Sequence, residues 1–210
     1  MFDFKLIGNA LIECDQSRVT ELVQNALAQG VSAKEILNEG LIAGMDIVGE
    51  KMETGVMFIP EVLKAAKIMS AALEIFKPSL GVEDMTAKGK VVIGTVKGDL
   101  HDIGKNLVAM MLGSACLEVY DLGVDVPPDQ FVAEIKEKNP EILGLSALLT
   151  TTMPMLKQTI DTVVECGLRD RVKIMVGGAP VTQDFADKIG ADGYAADAGS
   201  AAKMAKALLE

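Results

Sequence analysis

The chain has 210 residues, half of them hydrophobic and 24% charged. That balance builds a packed core and excludes disordered, collagen-like and small disulfide-framework proteins. Acidic residues (30) outnumber basic ones (20), giving a net charge of -10, which argues against nucleic-acid backbones and anionic membrane surfaces as partners.

Aromatic residues make up only 4% and there is no Trp, so base-stacking platforms are not expected. Apolar runs are broken well before the ~18 residues that a membrane span requires. The start, Met1-Phe2-Asp3-Phe4-Lys5, has no basic region followed by an apolar stretch, so no secretory signal is expected. Cys14, Cys116 and Cys166 lie far apart. They fit small buried residues in a reducing cytoplasm better than a disulfide frame or a zinc site.

Residues 3 to 77 predict helix throughout. Phe4, Ile7 and Leu11 form a first apolar stripe, and Val19, Leu22, Val23, Ala26 and Leu27 a second that Gly30 ends. Leu37, Leu41, Met45, Val48 and Met52 alternate steps of four and three, as do Val62, Ala66, Met69, Leu73 and Phe76, the spacing of one helix face. Ser17 and Ser32 are expected N-caps, with Glu35 completing a capping box at Ser32. Gly55 closes the third helix, and Pro60 suits the first turn of the fourth. The expectation is a four-helix bundle over 1–77, then a linker, 78–89, containing Pro78 and Gly81 and serving as a hinge.

From 90 to 210, β-rich runs at 91–96, 118–122, 142–148, 173–176 and 193–196 alternate with helical ones. The helices are expected at 105–115, 128–138, 154–166, 182–189 and 199–209. Such alternation implies a five-stranded parallel sheet covered on both faces, with the flavodoxin-like (Rossmann-type) order 2-1-3-4-5. Ligands in that order bind beyond the carboxyl ends of strands 1 and 3. After strand 1 come Gly98, Asp99, Leu100, His101, Asp102, Ile103 and Gly104, which include the only histidine in the chain. Asp99 would share a side with His101 in an extended segment and accept the proton of its second ring nitrogen, a common support for a metal-bound imidazole. Gly98 and Gly104 sit where backbone turns or admits something bulky. No second His or placed Cys completes a closed zinc site. A lone imidazole then suits a metal that brings its own equatorial ligands, haem or the cobalt of a corrin ring.

Asp99-x-His101-x-x-Gly104, then Ser146-x-Leu148, then Gly177-Gly178, resembles the three-part signature of cobalamin-binding domains. The separations, 42 residues from Gly104 to Ser146 and 29 from Leu148 to Gly177, are similar to that family's. Residues 37–77, especially Gly49-Glu50-Lys51-Met52 and Met57-Phe58-Ile59-Pro60-Glu61-Val62, resemble the helical cap of cobalamin-dependent methionine synthase and of the corrinoid proteins of anaerobic methyltransferase systems.

The resemblance implies a site. His101 replaces the cofactor's own base as lower ligand to cobalt (His-on, base-off). Asp99 holds the ring, and Thr152, where methionine synthase has serine, extends the relay. Ser146 and Leu148 meet the displaced nucleotide tail, unless Leu148 is ordinary core. Gly177 and Gly178 make room for that tail or simply form a tight turn. Thr150 and Tyr194 are further tail contacts. Met52, Phe58 and Ile59 cover the upper face, whereas Met45 and Met69 fill core.

The implied function is a methyl carrier alternating between methylcobalamin and cob(I)alamin. Its donors would be methylamines, methanol, betaine or methoxylated aromatics, through a substrate-specific methyltransferase. A second methyltransferase would pass the methyl group to tetrahydrofolate or coenzyme M, and a reductive activase would maintain the cobalt. The chain by itself would catalyse neither transfer. The alternatives are the cobalamin subunit of an adenosylcobalamin mutase and a cobalamin sensor or storage protein.

Overall fold

A computed structural model describes residues 2–76 and 88–210, which divide into two compact units, 1–86 and 87–210. Residues 77–87, nearly all of the expected linker, lie outside the described residues.

The first unit is helical: α1 (Lys5–Ile12), α2 (Gln16–Ala28), α3 (Ala33–Glu35), a π-helical stretch (Ile36–Ile42), α4 (Ala43–Glu53) and α5 (Ile59–Phe76). The segment from α3 through α4 runs without interruption, so four helical rods result, as the apolar periods require. Ile7, Leu11, Val19, Val23, Leu41, Met45, Val48, Val62 and Met69 are buried along their inner faces. The π-helical stretch has no counterpart in the sequence reading, because hydrophobic spacing alone does not separate it from α-helix. Ser32 caps α3, its hydroxyl taking the Glu35 N–H at 3.2 Å while Glu35 returns to the Ser32 N–H at 3.3 Å. The cap of α2 is Asp15 rather than Ser17: its extended backbone aims the carboxylate at the Arg18 N–H, 3.0 Å away. That leaves Ser17 inside the first turn.

The second unit is a five-stranded parallel sheet in the order β2-β1-β3-β4-β5, made of β1 (Lys90–Thr95), β2 (Glu118–Asp121), β3 (Ile142–Ser146), β4 (Lys173–Gly177) and β5 (Gly193–Ala195). Between and after the strands run α6 (Ile103–Ser114), α7 (Pro128–Lys138), α8 (Met153–Glu165), α9 (Gln183–Ile189) and α10 (Ala198–Leu208). Burial on both faces explains why β1, β3 and β4 read as unbroken apolar runs. Val91, Ile142 and Met175 pack with Leu112 of α6 and with Ala201 and Ala205 of α10. Val92, Leu143 and Val176 pack on the opposite side with Phe131 of α7, Leu156 of α8 and Ala186 of α9.

Element ends shift by one or two residues from the sequence reading. β3 stops at Ser146 although the apolar run reaches Leu148, because the N–H groups of Leu148 and Leu149 turn away to a carboxylate, at 2.8 and 3.3 Å. All three cysteines are free. Cys166, expected to be buried, is exposed at the C-cap of α8. No helix among the described residues is long and apolar enough to cross a membrane.

Candidate functional site

The carboxylate that ends β3 belongs to Asp99. Parallel pairing sets Thr95 beside Ser146 and Ser146 beside Gly177, so the loops after β1 and β3 emerge together at the C-terminal edge of the sheet. Gly98, at φ +82, turns the first loop, and its N–H donates to Asp125 Oδ1 at 2.6 Å. The next residue, Asp99, points inward and is fully buried.

Both oxygens of Asp99 are engaged. Oδ1 accepts the His101 N–H at 3.1 Å and lies 2.7 Å from His101 Nδ1. Oδ2 accepts the Leu148 N–H at 2.8 Å and lies 2.6 Å from the Thr152 hydroxyl. Burial pushes the Asp99 carboxyl up, but the bonds from Thr152, His101 and the Leu148 N–H outweigh it and hold the group well below the usual carboxylate range. Asp99 is therefore a carboxylate. In the neutral imidazole Asp99 accepts the hydrogen bond of Nδ1–H, which leaves Nε2 with a free lone pair.

The surroundings of His101 are open and carry several exposed apolar side chains. Its side chain is half-exposed, and Leu100, Ile103, Leu148 and Leu149 stand around the same loops at 71%, 75%, 39% and 42% exposure. Exposed apolar side chains beside one available ring nitrogen could hold a flat macrocycle that carries its own metal. A cage of protein ligands is a different arrangement, and no group of three or more His, Cys, Asp or Glu side chains able to hold a metal occurs among the described residues. A Cβ built on Gly104, in the first turn of α6, would meet nothing within 4 Å, so the approach over that turn is unobstructed.

The structure also places the other residues read from the sequence. Ser146 ends β3, its carbonyl accepting the Val96 N–H at 3.0 Å. Alternation along the strands puts Thr95, Ser146, Gly177 and Ala195 in one cross-strand row on the α6/α10 side, a row of small side chains. Tyr194 packs on the opposite side, against the α7–α9 core, apart from Ser146 and Gly177. Leu148 is exposed rather than core. Gly178, at φ +128, is required by the fold itself, since a Cβ there would lie 1.9 Å from the Ala147 carbonyl oxygen. Thr150 is exposed, and Asp102 precedes α6, its Oδ2 accepting from the Asn106 side chain at 3.1 Å. In the first unit, Met52 is half-buried near the end of α4, while Phe58 and Ile59 are exposed where α5 begins, joined by an exposed Val56.

Sequence reasoning missed Leu100 and Leu149, whose signal was two apolar residues in loops with no period to bury them. It also missed Lys105, a lysine on the inward face of α6, and Thr95, whose hydroxyl donates to the His101 carbonyl at 2.9 Å.

A helical bundle followed by a flavodoxin-like sheet, with an Asp-supported imidazole at its switch point, defines a corrinoid-binding class of protein. Two family models, each described as a B12 binding domain, match residues 4–77 and 89–203. The chain belongs to that B12-binding family, whose cofactor is cobalamin and whose metal is cobalt. It is 46% identical over 203 residues to trimethylamine corrinoid protein 1 of Methanosarcina acetivorans, covering 96% of this chain and 94% of that protein. It is 47% identical over 204 residues to dimethylamine corrinoid protein 2 of the same organism, covering 97% and 94%. Among solved structures, a cobalamin-binding protein from Desulfitobacterium hafniense matches with a TM-score of 0.89 at 34% identity, over 99% of both chains. The methanol:cobalamin methyltransferase complex MtaBC of Methanosarcina barkeri matches with a TM-score of 0.81 at 33% identity, over 98% of this chain and 79% of that one.

Proposed function

We propose that this protein binds cobalamin His-on and base-off and carries a methyl group between two methyltransferases, with a methylated amine as the ultimate donor. The observation that carries the reading is the 2.7 Å contact between buried Asp99 and His101 Nδ1, which frees Nε2 within an exposed apolar apron. When bound, the corrinoid supplies the cobalt atom that accepts and releases the methyl group. His101 would hold the cobalt through its ring nitrogen Nε2. Asp99 fixes the ring's orientation and raises its donor strength, and Thr152 holds Asp99. Leu100, Ile103, Leu148 and Leu149 would offer the macrocycle an apolar seat. The displaced nucleotide tail would run past the carboxyl ends of β3 and β4, by Ser146, Gly177 and Thr150. The amine preference draws on the likeness to trimethylamine and dimethylamine corrinoid proteins, at 46% and 47% identity, against 33% for the methanol complex. The acceptor methyltransferase would deliver to coenzyme M or tetrahydrofolate, and a reductive activase would service the cobalt.

His101 is the sole histidine, so nitrogen-15 histidine labels the proposed ligand alone. In protein loaded with cob(II)alamin, the electron paramagnetic resonance splitting is expected to change on labelling. A splitting that stays that of unlabelled nitrogen means the cofactor's own base is coordinated and overturns the His-on reading. For the donor, amine-specific methyltransferases should methylate the loaded protein and a methanol-specific one should not. The reverse pattern sinks the amine assignment.

A further inference from the structure

We propose that Lys105 is a positioning residue: the ion pair of its buried ammonium with the partly exposed Asp121 sets the stance of the His101 main chain, and with it the reach of the imidazole toward cobalt. This rests on the reading of His101 as the cobalt ligand. Among the described residues the buried charged side chains are Asp99 and Lys105, six positions apart, opposite in sign and on either side of His101.

Lys105 projects from the first turn of α6 into the protein, with 1% of its side chain exposed. Its three ammonium protons are all used. Nζ lies 2.7 and 2.5 Å from the two oxygens of Asp121, the last residue of β2, and 2.6 Å from Asn106 Oδ1. A buried ammonium recovers its lost hydration only when every proton finds a partner in good geometry. The side chain is thereby held to one arrangement, where an apolar residue would fill the space without fixing anything.

Two arms run from this pair to the ligand loop. Asp121 Oδ1 accepts the Gly123 N–H at 2.9 Å, the Gly123 carbonyl accepts the Thr95 N–H at 3.0 Å, and the Thr95 hydroxyl donates to the His101 carbonyl at 2.9 Å. On the other side Asn106 returns its side-chain amide to Asp102 Oδ2 at 3.1 Å and its N–H to the Asp102 carbonyl at 2.7 Å. The arms end on consecutive residues, His101 and Asp102. Asp99 fixes the ring, and Lys105 fixes the backbone from which the ring projects.

The test uses the full chain made with nitrogen-15 histidine, as parent, Lys105→Met and Asp121→Asn, each loaded with hydroxocobalamin and reduced to cob(II)alamin. Both variants should retain the corrinoid yet lose affinity of the imidazole for cobalt by about tenfold, the lower end of what outer-sphere partners contribute. That loss reads as a falling share of the histidine-split signal and a rising share of the base-on one. Variants that melt at a lower temperature while keeping the parent's spectrum would make the pair merely structural and overturn the proposal. If Lys105→Met does not fold, Asp121→Asn, at a residue with about a third of its side chain exposed, decides alone. A parent lacking the histidine splitting would instead remove the ligand reading, and this inference with it.

Discussion

Asp99 and Thr152 stand 53 positions apart in the chain and meet at 2.6 Å, carboxylate to hydroxyl. The Thr152 hydroxyl also lies 2.9 Å from the Leu149 carbonyl oxygen, so its single proton has two acceptors to serve. Asp99, being charged, is the stronger one. The contact ties the loop after β1, which carries His101, to the start of α8.

Thr152→Val keeps the side-chain shape and deletes the hydroxyl. A hydrogen bond to a charged group contributes about 1.5–3 kcal/mol, so the variant should lose stability of that order in denaturant unfolding. Thr152→Ser should recover most of it. A Val variant as stable as the parent would show that the hydroxyl does not support Asp99.

Asp99→Asn should weaken cobalt ligation by His101 by about 10–100-fold, because an amide no longer fixes the imidazole proton as a carboxylate does. The lowered Asp99 carboxyl also has a consequence for the unloaded protein. Its folded-state value lies below that of the unfolded chain, so its stabilisation is complete above the ordinary carboxylate range. It fades as pH falls from there toward the lowered native value. Melting curves should show the gap between parent and Asp99→Asn narrowing from pH 7 to pH 3. A gap independent of pH contradicts the assigned charge.

Leu100→Ser tests the apolar apron. Leu100 is 71% exposed, so its replacement should change stability by no more than about 0.5 kcal/mol. Corrinoid affinity, measured by equilibrium binding of hydroxocobalamin, should nevertheless fall. Equal affinity would remove Leu100 from the cofactor surface.

Gly178→Ala separates fold from function. A methyl group placed 1.9 Å from the Ala147 carbonyl oxygen, at φ +128, forces the turn after β4 to move. The strain is about 1–3 kcal/mol or more, and the melting temperature of the unloaded protein should fall. If only cobalamin binding suffers, the glycine serves the cofactor rather than the turn.

The sequence by itself determined most of the elements, their order along the chain and the Asp99-x-His101 motif, because each depends on residues a few positions apart. Apolar steps of three and four set the helices, unbroken apolar runs marked strands covered on both faces, and the Ser32 capping box needed only Glu35. The Asp99–His101 pair was equally legible, being two residues apart on one short loop. Only the tertiary structure decided what closes around that pair. Leu148 and Thr152 reach Asp99 from 49 and 53 positions away, and Asp121 reaches Lys105 from 16. Strands that pair in parallel send the chain through a crossover before bringing their ends together, and no local pattern records which side chains then meet. Hydropathy likewise could not separate Leu100 and Leu148, presented to solvent, from Leu143 and Leu145, buried in the sheet. The side chain is the same, and only packing decides whether it fills the core or faces solvent.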